Sequence, residues 1–256
     1  MKRSDSLGHA ITVTAIFVGF LWLLKLGELL LGWNLHNLGV YPSTASGFIG
    51  VFTGPLIHGS IAHISANSVG LMVLGSALLY GYPRSRWWVL GIVWIVSGLG
   101  VWLWGRESYH FGASGLTHGL FFYLFFVSLF RRDKRSIALM MIAFFMFGGM
   151  LLTVFPREPG ISFEYHLFGG IGGLVSALLF WRWDPKPEEK KYSWELEPEA
   201  EDIDEVQLDE DPIGDLWQKS SEHAAATELE ADPEASPFAA EPNRTQRSRP
   251  IHISRN

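Results

Sequence analysis

Six apolar segments, at about 9–31, 61–80, 86–104, 114–130, 136–155 and 162–182, approach the length a membrane-spanning helix needs. A bilayer core takes roughly 20 apolar residues per helix, and only helices or closed barrels satisfy their backbone there. An all-α polytopic bundle of six helices follows. The loops set its direction, because Lys2 and Arg3, Arg84 and Arg86, Arg131 to Arg135, and Arg182 with Lys186 fall on alternate turns of the chain. The positive-inside rule makes that side cytoplasmic, with both termini inside. Trp33, Trp87, Trp88, Trp104, Trp181 and Trp183 lie near helix ends, where an amphipathic ring suits the headgroup layer.

Composition divides the chain. Up to Trp183 there are 12 Lys+Arg against 6 Asp+Glu, whereas 184–256 holds 8 against 20. We therefore read residues 1–183 as a membrane domain and 184–256 as an acidic, mostly disordered cytoplasmic tail, too poor in apolar side chains to offset chain ordering. Within it, Leu208, Ile213, Leu216 and Trp217 form a candidate motif for a cytoplasmic partner. Four arginines between Arg244 and Arg255 suit anionic lipid. The first apolar run follows Lys2 and Arg3 but lacks a small-residue cleavage site, so it reads as a retained anchor. Cysteine is absent, which removes disulfides, thiolate metal sites and a cysteine nucleophile.

The connection Gly32 to Ser60 is too long for an idle turn. Its apolar Val40, Phe48, Ile49, Val51, Phe52, Leu56 and Ile57 suggest a loop folded back onto the outer leaflet.

Polar residues sit in the outer third of three helices that run the same way: His63 and Asn67 on the second, Ser114 and His118 on the fourth, His166 on the sixth. Such groups are costly in a bilayer and face a bundle interior or a wet cavity. His63, Asn67 and Gly70 share one helical face, as do His166, Gly169 and Gly173, and small faces let transmembrane backbones approach. The fourth and sixth helices are thus expected to touch. The fourth segment covers only ~25 Å, so Ser114 starts below the outer surface and the chain before it must dip inward beside protein or water. At a helix N-terminus Ser114 gains free amides and the positive dipole end, while His166 can take its proton. Glu164 faces away from His166, so a dyad is expected rather than a triad.

These residues resemble the rhomboid intramembrane serine proteases. His58-x4-His63-x3-Asn67, the tetrad Gly112-Ala113-Ser114-Gly115 and His166-x2-Gly169-x3-Gly173 occur in that family's order over roughly residues 9–182. The resemblance implies catalytic Ser114 and His166, oxyanion stabilisation by His63, Asn67 and the Ser114 amide, and cleavage of transmembrane or juxtamembrane segments of membrane proteins. Active-site packing falls to His58, His118, Gly112, Gly115, Gly169 and Gly173. Two departures stand out. His118 takes a position where the family often has an aromatic ring against the histidine, and the first loop lacks the Trp-Arg pair of some members. The run Ser-Gly-Leu-Thr-His-Gly is also similar to the rhombosortase branch.

No cofactor, metal or nucleic acid is expected, since metal-binding runs such as His-Glu-x-x-His are missing. The alternative is a non-proteolytic polytopic protein, either a substrate-binding pseudo-protease or a transporter, although no internal repeat is visible and the polar groups lie away from the midplane. His58 is expected to fix the start of the second helix. His9, His36 and His110 are expected to be solvated, and Lys25 and Glu28, at i and i+3, to pair or to snorkel. A bacterial plasma membrane is the expected location.

Overall fold

The computed structural model describes residues 6–156 and 161–187. The expected disordered tail beyond Pro187, its Leu208 to Trp217 motif and its closing arginines lie outside the described residues.

Six long helices form the bundle: α1 Leu7–Leu31, α2 Ile61–Gly81, α3 Arg86–Trp104, α4 Ser114–Arg131, α5 Lys134–Leu151 and α6 Phe163–Phe180. Each occupies an apolar run, and short polar residues mark several starts. Ser6, Ser60, Asp133 and Ser162 accept a hydrogen bond from the backbone two or three positions into α1, α2, α5 and α6. Gly32, at φ 69°, terminates α1. Helix α2 contains a π-helical turn, Leu71–Gly75, against which Thr14 of α1 packs. The last turn of α5 tightens to a 3₁₀ helix from Gly148. Among the described residues no strand forms, and one isolated bridge joins Val40 to His110. The described residues are all-helical, and the chain is a multi-pass integral membrane protein.

Five of these helices are long and apolar enough to cross a bilayer. Helix α4 falls short because Ser114, Thr117, His118, Ser128 and Arg131 dilute it. Neighbours shelter those groups, since Thr117, His118, Ser128 and Arg131 are all buried. A polar helix at membrane depth is tolerated when protein surrounds it.

Helices α4 and α6 meet backbone to backbone. A side chain at Gly169 would strike the Gly115 carbonyl, and one at Gly173 would strike the Gly119 carbonyl. In return Gly119 has no room because Val93 of α3 fills it, and Gly115 lies under the Tyr165 ring. The contact expected from the glycine spacing is present.

At the opposite end of the bundle from Ser114, buried polar groups tie three helix ends together. Arg131, 3% exposed, donates to Asp133 Oδ2 at 2.8 Å, Trp181 O at 2.9 Å and Asp184 O at 2.8 Å. Asp184 in turn accepts from Arg84 N at 2.7 Å and Ser85 Oγ at 2.6 Å. The C-terminal ends of α2, α4 and α6 are thereby fixed, so their N-terminal ends share the other face. Of the two arrangements open to Lys25 and Glu28 the structure shows the pair, at 3.0 Å, and Lys25 also donates to His58 O at 2.8 Å.

The first loop folds onto α3. A Cβ on Gly98 would lie 2.8 Å from Val51 O, while Trp94 and Trp102 donate indole N–H groups to Phe52 O and Thr44 O. Its Phe48, Ile49 and Phe52 stay exposed, an apolar surface suited to lipid.

Gly173→Val should destabilise the bundle by about 1–3 kcal/mol by forcing α4 and α6 apart. Gly19→Ala, where nothing lies within 4 Å, should be neutral or slightly stabilising. Denaturant unfolding of both variants in detergent checks the contrast.

Candidate active site

The backbone leading into α4 is not helical, so its polar groups need other partners. His110 exchanges both backbone hydrogen bonds with Val40 at 2.8 Å. Gly112 N donates to Gly54 O at 2.9 Å, and Ala113 N donates to His58 Nε2 at 3.3 Å. The first loop and His58 therefore hold the stretch that delivers Ser114 to the first position of α4. Gly112 has φ 120°, and a Cβ there would come within 2.6 Å of the His63 ring. Only glycine suits that position.

The common face of α2 meets this turn. His63 lies over Gly112, and Gly70 lies against the Thr117 methyl group. Asn67 is buried, and its Nδ2 has no hydrogen-bond partner. An unmatched buried amide is costly unless something fills its place in a working state.

His166 stacks flat on His118, with ring centroids 3.8 Å apart and planes 7° from parallel. The close backbone approach of α4 and α6 makes this possible. His166 Nδ1 donates to the Thr153 carbonyl at 2.9 Å, which leaves Nε2 unprotonated in the neutral ring. His118 Nδ1 donates to the Ser114 carbonyl at 2.7 Å, and its Nε2 lies 2.8 Å from Thr153 Oγ1.

These groups line one cavity of about 660 Å³. Ser114, His118, His166, His63, Asn67 and Thr153 are among its polar lining, with Tyr109, Phe111, Met150 and Ile161 among its apolar walls. Gly112, Gly115, Gly169 and Gly173 shape it from behind by allowing close backbone contact. His58 sits outside the cavity beneath Ala113, edge-on to the His63 ring. Burial, then the nearby His63, pushes its pKa down to about 4.

Two histidine expectations part company here. His36 and His9 are exposed, but His110 is not solvated: it is 1% exposed and fully engaged. Its Nε2 donates to Arg106 O at 2.9 Å, and its Nδ1 accepts from Ser162 Oγ at 2.6 Å. The bridge to Val40 covers it. Glu164 pairs with Arg106 at 3.4 Å and lies 4.0 Å from His110, so it stays away from His166 as expected. The group that orients His166 is instead a backbone carbonyl, Thr153 O, 13 residues back in the chain. No spacing rule marks that partner. Among the described residues no group of three His, Asp or Glu is arranged to hold a metal ion.

The chain matches the Rhomboid domain family over residues 45–183, more than half its length. It belongs to the rhomboid family. The family is one of intramembrane proteases, with transmembrane proteins as the substrates it implies. The chain is 34% identical over 177 residues to an uncharacterized protein of Mycobacterium tuberculosis, covering 66% of this chain and 74% of the relative. An uncharacterized protein of Mycobacterium leprae is 33% identical over 172 residues, with 64% and 68% covered. The Bacillus subtilis protein named "Putative rhomboid protease YdcA" is 26% identical over 157 residues, with 56% and 77% covered. Residues 45–183 span the lining of the cavity described above.

His58 remains neutral in the folded rhomboid while the unfolded chain takes up a proton below pH ~6.5. Stability should therefore fall as pH drops from ~6.5 to ~4, by up to about 3 kcal/mol from this residue, and level off below. Thermal unfolding against pH should show that slope, and His58→Gln, which keeps an acceptor for Ala113 N, should make it shallower.

Proposed function

We propose that this rhomboid is a serine endopeptidase that cleaves transmembrane or juxtamembrane segments within the bilayer through a Ser114–His166 dyad. The observation that carries the reading is that one cavity is lined both by a helix-terminal Ser114 and by an imidazole whose Nδ1 proton is held by Thr153 O. Ser114 Oγ attacks the scissile carbonyl as its proton passes to His166 Nε2. The oxyanion that forms meets the Ser114 amide, the Asn67 Nδ2–H and the His63 ring. As the C–N bond breaks, His166 returns its proton to the leaving amine. Water drawn from the cavity then hydrolyses the acyl-enzyme, with His166 again acting as base.

The free Nδ2 of Asn67 supports its place in the hole, because a developing oxyanion supplies the acceptor it lacks. His118 serves as the stacking partner that holds the base over the serine. Substrate helices enter laterally and unwind to present an extended backbone. We place the protein in a bacterial plasma membrane with both termini cytoplasmic and the cavity opening outward, following the loop charges. A purely binding or transporting protein would need neither an oriented histidine nor a helix-terminal serine lining the same cavity.

A fluorophosphonate probe tests the proposal without a substrate, because attack by an activated serine forms an Oγ–P bond and expels fluoride. Labelling of the detergent-purified protein should fall to background in Ser114→Ala and His166→Ala, with folding intact. Asn67→Ala should slow it by about 10²-fold, the usual loss for one oxyanion donor. A folded wild type that takes no label, in detergent or lipid, would support the non-proteolytic alternative.

A further inference from the structure

Thr153 contributes two separate bonds to the two stacked imidazoles. Its carbonyl accepts from His166 Nδ1 at 2.9 Å, and its hydroxyl lies 2.8 Å from His118 Nε2. The remaining nitrogen of His118 faces the Ser114 carbonyl at 2.7 Å, which can only accept, so Nδ1 carries the proton. In the neutral ring Nε2 is then an acceptor, and the Thr153 hydroxyl donates to it. The hydroxyl's other acceptor, Met150 O, lies further away at 3.1 Å.

The bonds close a path from the serine to the histidine. It runs from Ser114 O through the His118 ring to the Thr153 hydroxyl, across that residue to its carbonyl, and on to His166 Nδ1. Thr153 belongs to no long helix; it follows the 3₁₀ turn Gly148–Leu151 in the connection to α6. Its backbone carbonyl therefore needs an anchor, and the bond from its own hydroxyl to α4 supplies one.

Building on the proposed dyad, we infer that Thr153 is a positioning residue, whose hydroxyl bond to His118 registers its carbonyl against His166 and so sets the tautomer and angle of the general base. Thr153 lines the cavity, but its hydroxyl and carbonyl are both turned to the two imidazoles. It acts through the two rings, and the sequence pattern of the family motif does not include it.

The test uses the full chain in detergent and in lipid vesicles, reading the second-order rate of fluorophosphonate labelling. Thr153→Val keeps the shape and removes the donor; it should lower the rate about tenfold. Thr153→Ser, which restores a hydroxyl, should recover the rate to within about threefold of wild type. In a His118→Phe background, where the acceptor is gone, Thr153→Val should cost less than about twofold more. Nitrogen-15 spectra of the histidines provide a readout independent of rate. Wild-type His166 should be the Nδ1–H tautomer, and Thr153→Val should populate the other.

A Thr153→Val protein that labels at the wild-type rate, or pays the same penalty with and without His118, overturns the assignment of Thr153 while leaving the dyad standing. Unchanged histidine tautomers in Thr153→Val overturn it too, even where the valine variant is less stable. A wild type that takes no label removes the dyad and this inference together.

Discussion

The close approach of α4 and α6 governs the rest of the molecule. Gly169 and Gly173 lie against the carbonyls of Gly115 and Gly119, where no side chain fits. In a bilayer the lipid tails are as apolar as the side chains, so such backbone contact supplies association that the hydrophobic effect does not. Its geometric consequence is direct. Ser114 and His118 occupy the first turns of one helix, His166 the first turn of the other, and the glycine contact brings the two imidazoles to 3.8 Å.

A second constraint is backbone satisfaction at depth. The stretch from His110 to Ala113 leaves the helical pattern, and each partner it finds comes from elsewhere: Val40, Gly54 and His58. The first loop is thus part of the site's foundation. Lys25 extends the support by holding the His58 carbonyl from α1. At the far end, Arg131 and Asp184 bind the opposite termini of α2, α4 and α6, which keeps the three polar faces at one level.

Much of this was legible in the sequence because it rests on periodicity. The apolar runs marked all six helices within a few residues, and the i, i+4 and i+7 spacing of His63, Asn67 and Gly70 put them on one face. Lys25 and Glu28 were readable for the same reason. What escaped depends on contacts between distant segments in irregular backbone. His110 is 52 residues from Ser162 and 70 from Val40, so nothing local signals its burial. Thr153 acts partly through a main-chain carbonyl, which no residue type advertises. Helix α4 carries an apolar run that marks it as a span, while the burial that shelters its polar residues is a tertiary property.

The central claim is that Ser114 attacks with its oxyanion turned toward the α4 amide, Asn67 and His63. A structure of the protein inactivated by diisopropyl fluorophosphate tests it most directly. The account predicts phosphorus on Ser114 Oγ, the phosphoryl oxygen within hydrogen-bond distance of Ser114 N and Asn67 Nδ2, and His118 still stacked on His166. Phosphorus on another serine, or a phosphoryl oxygen pointing away from Asn67 and the α4 amide, would contradict it.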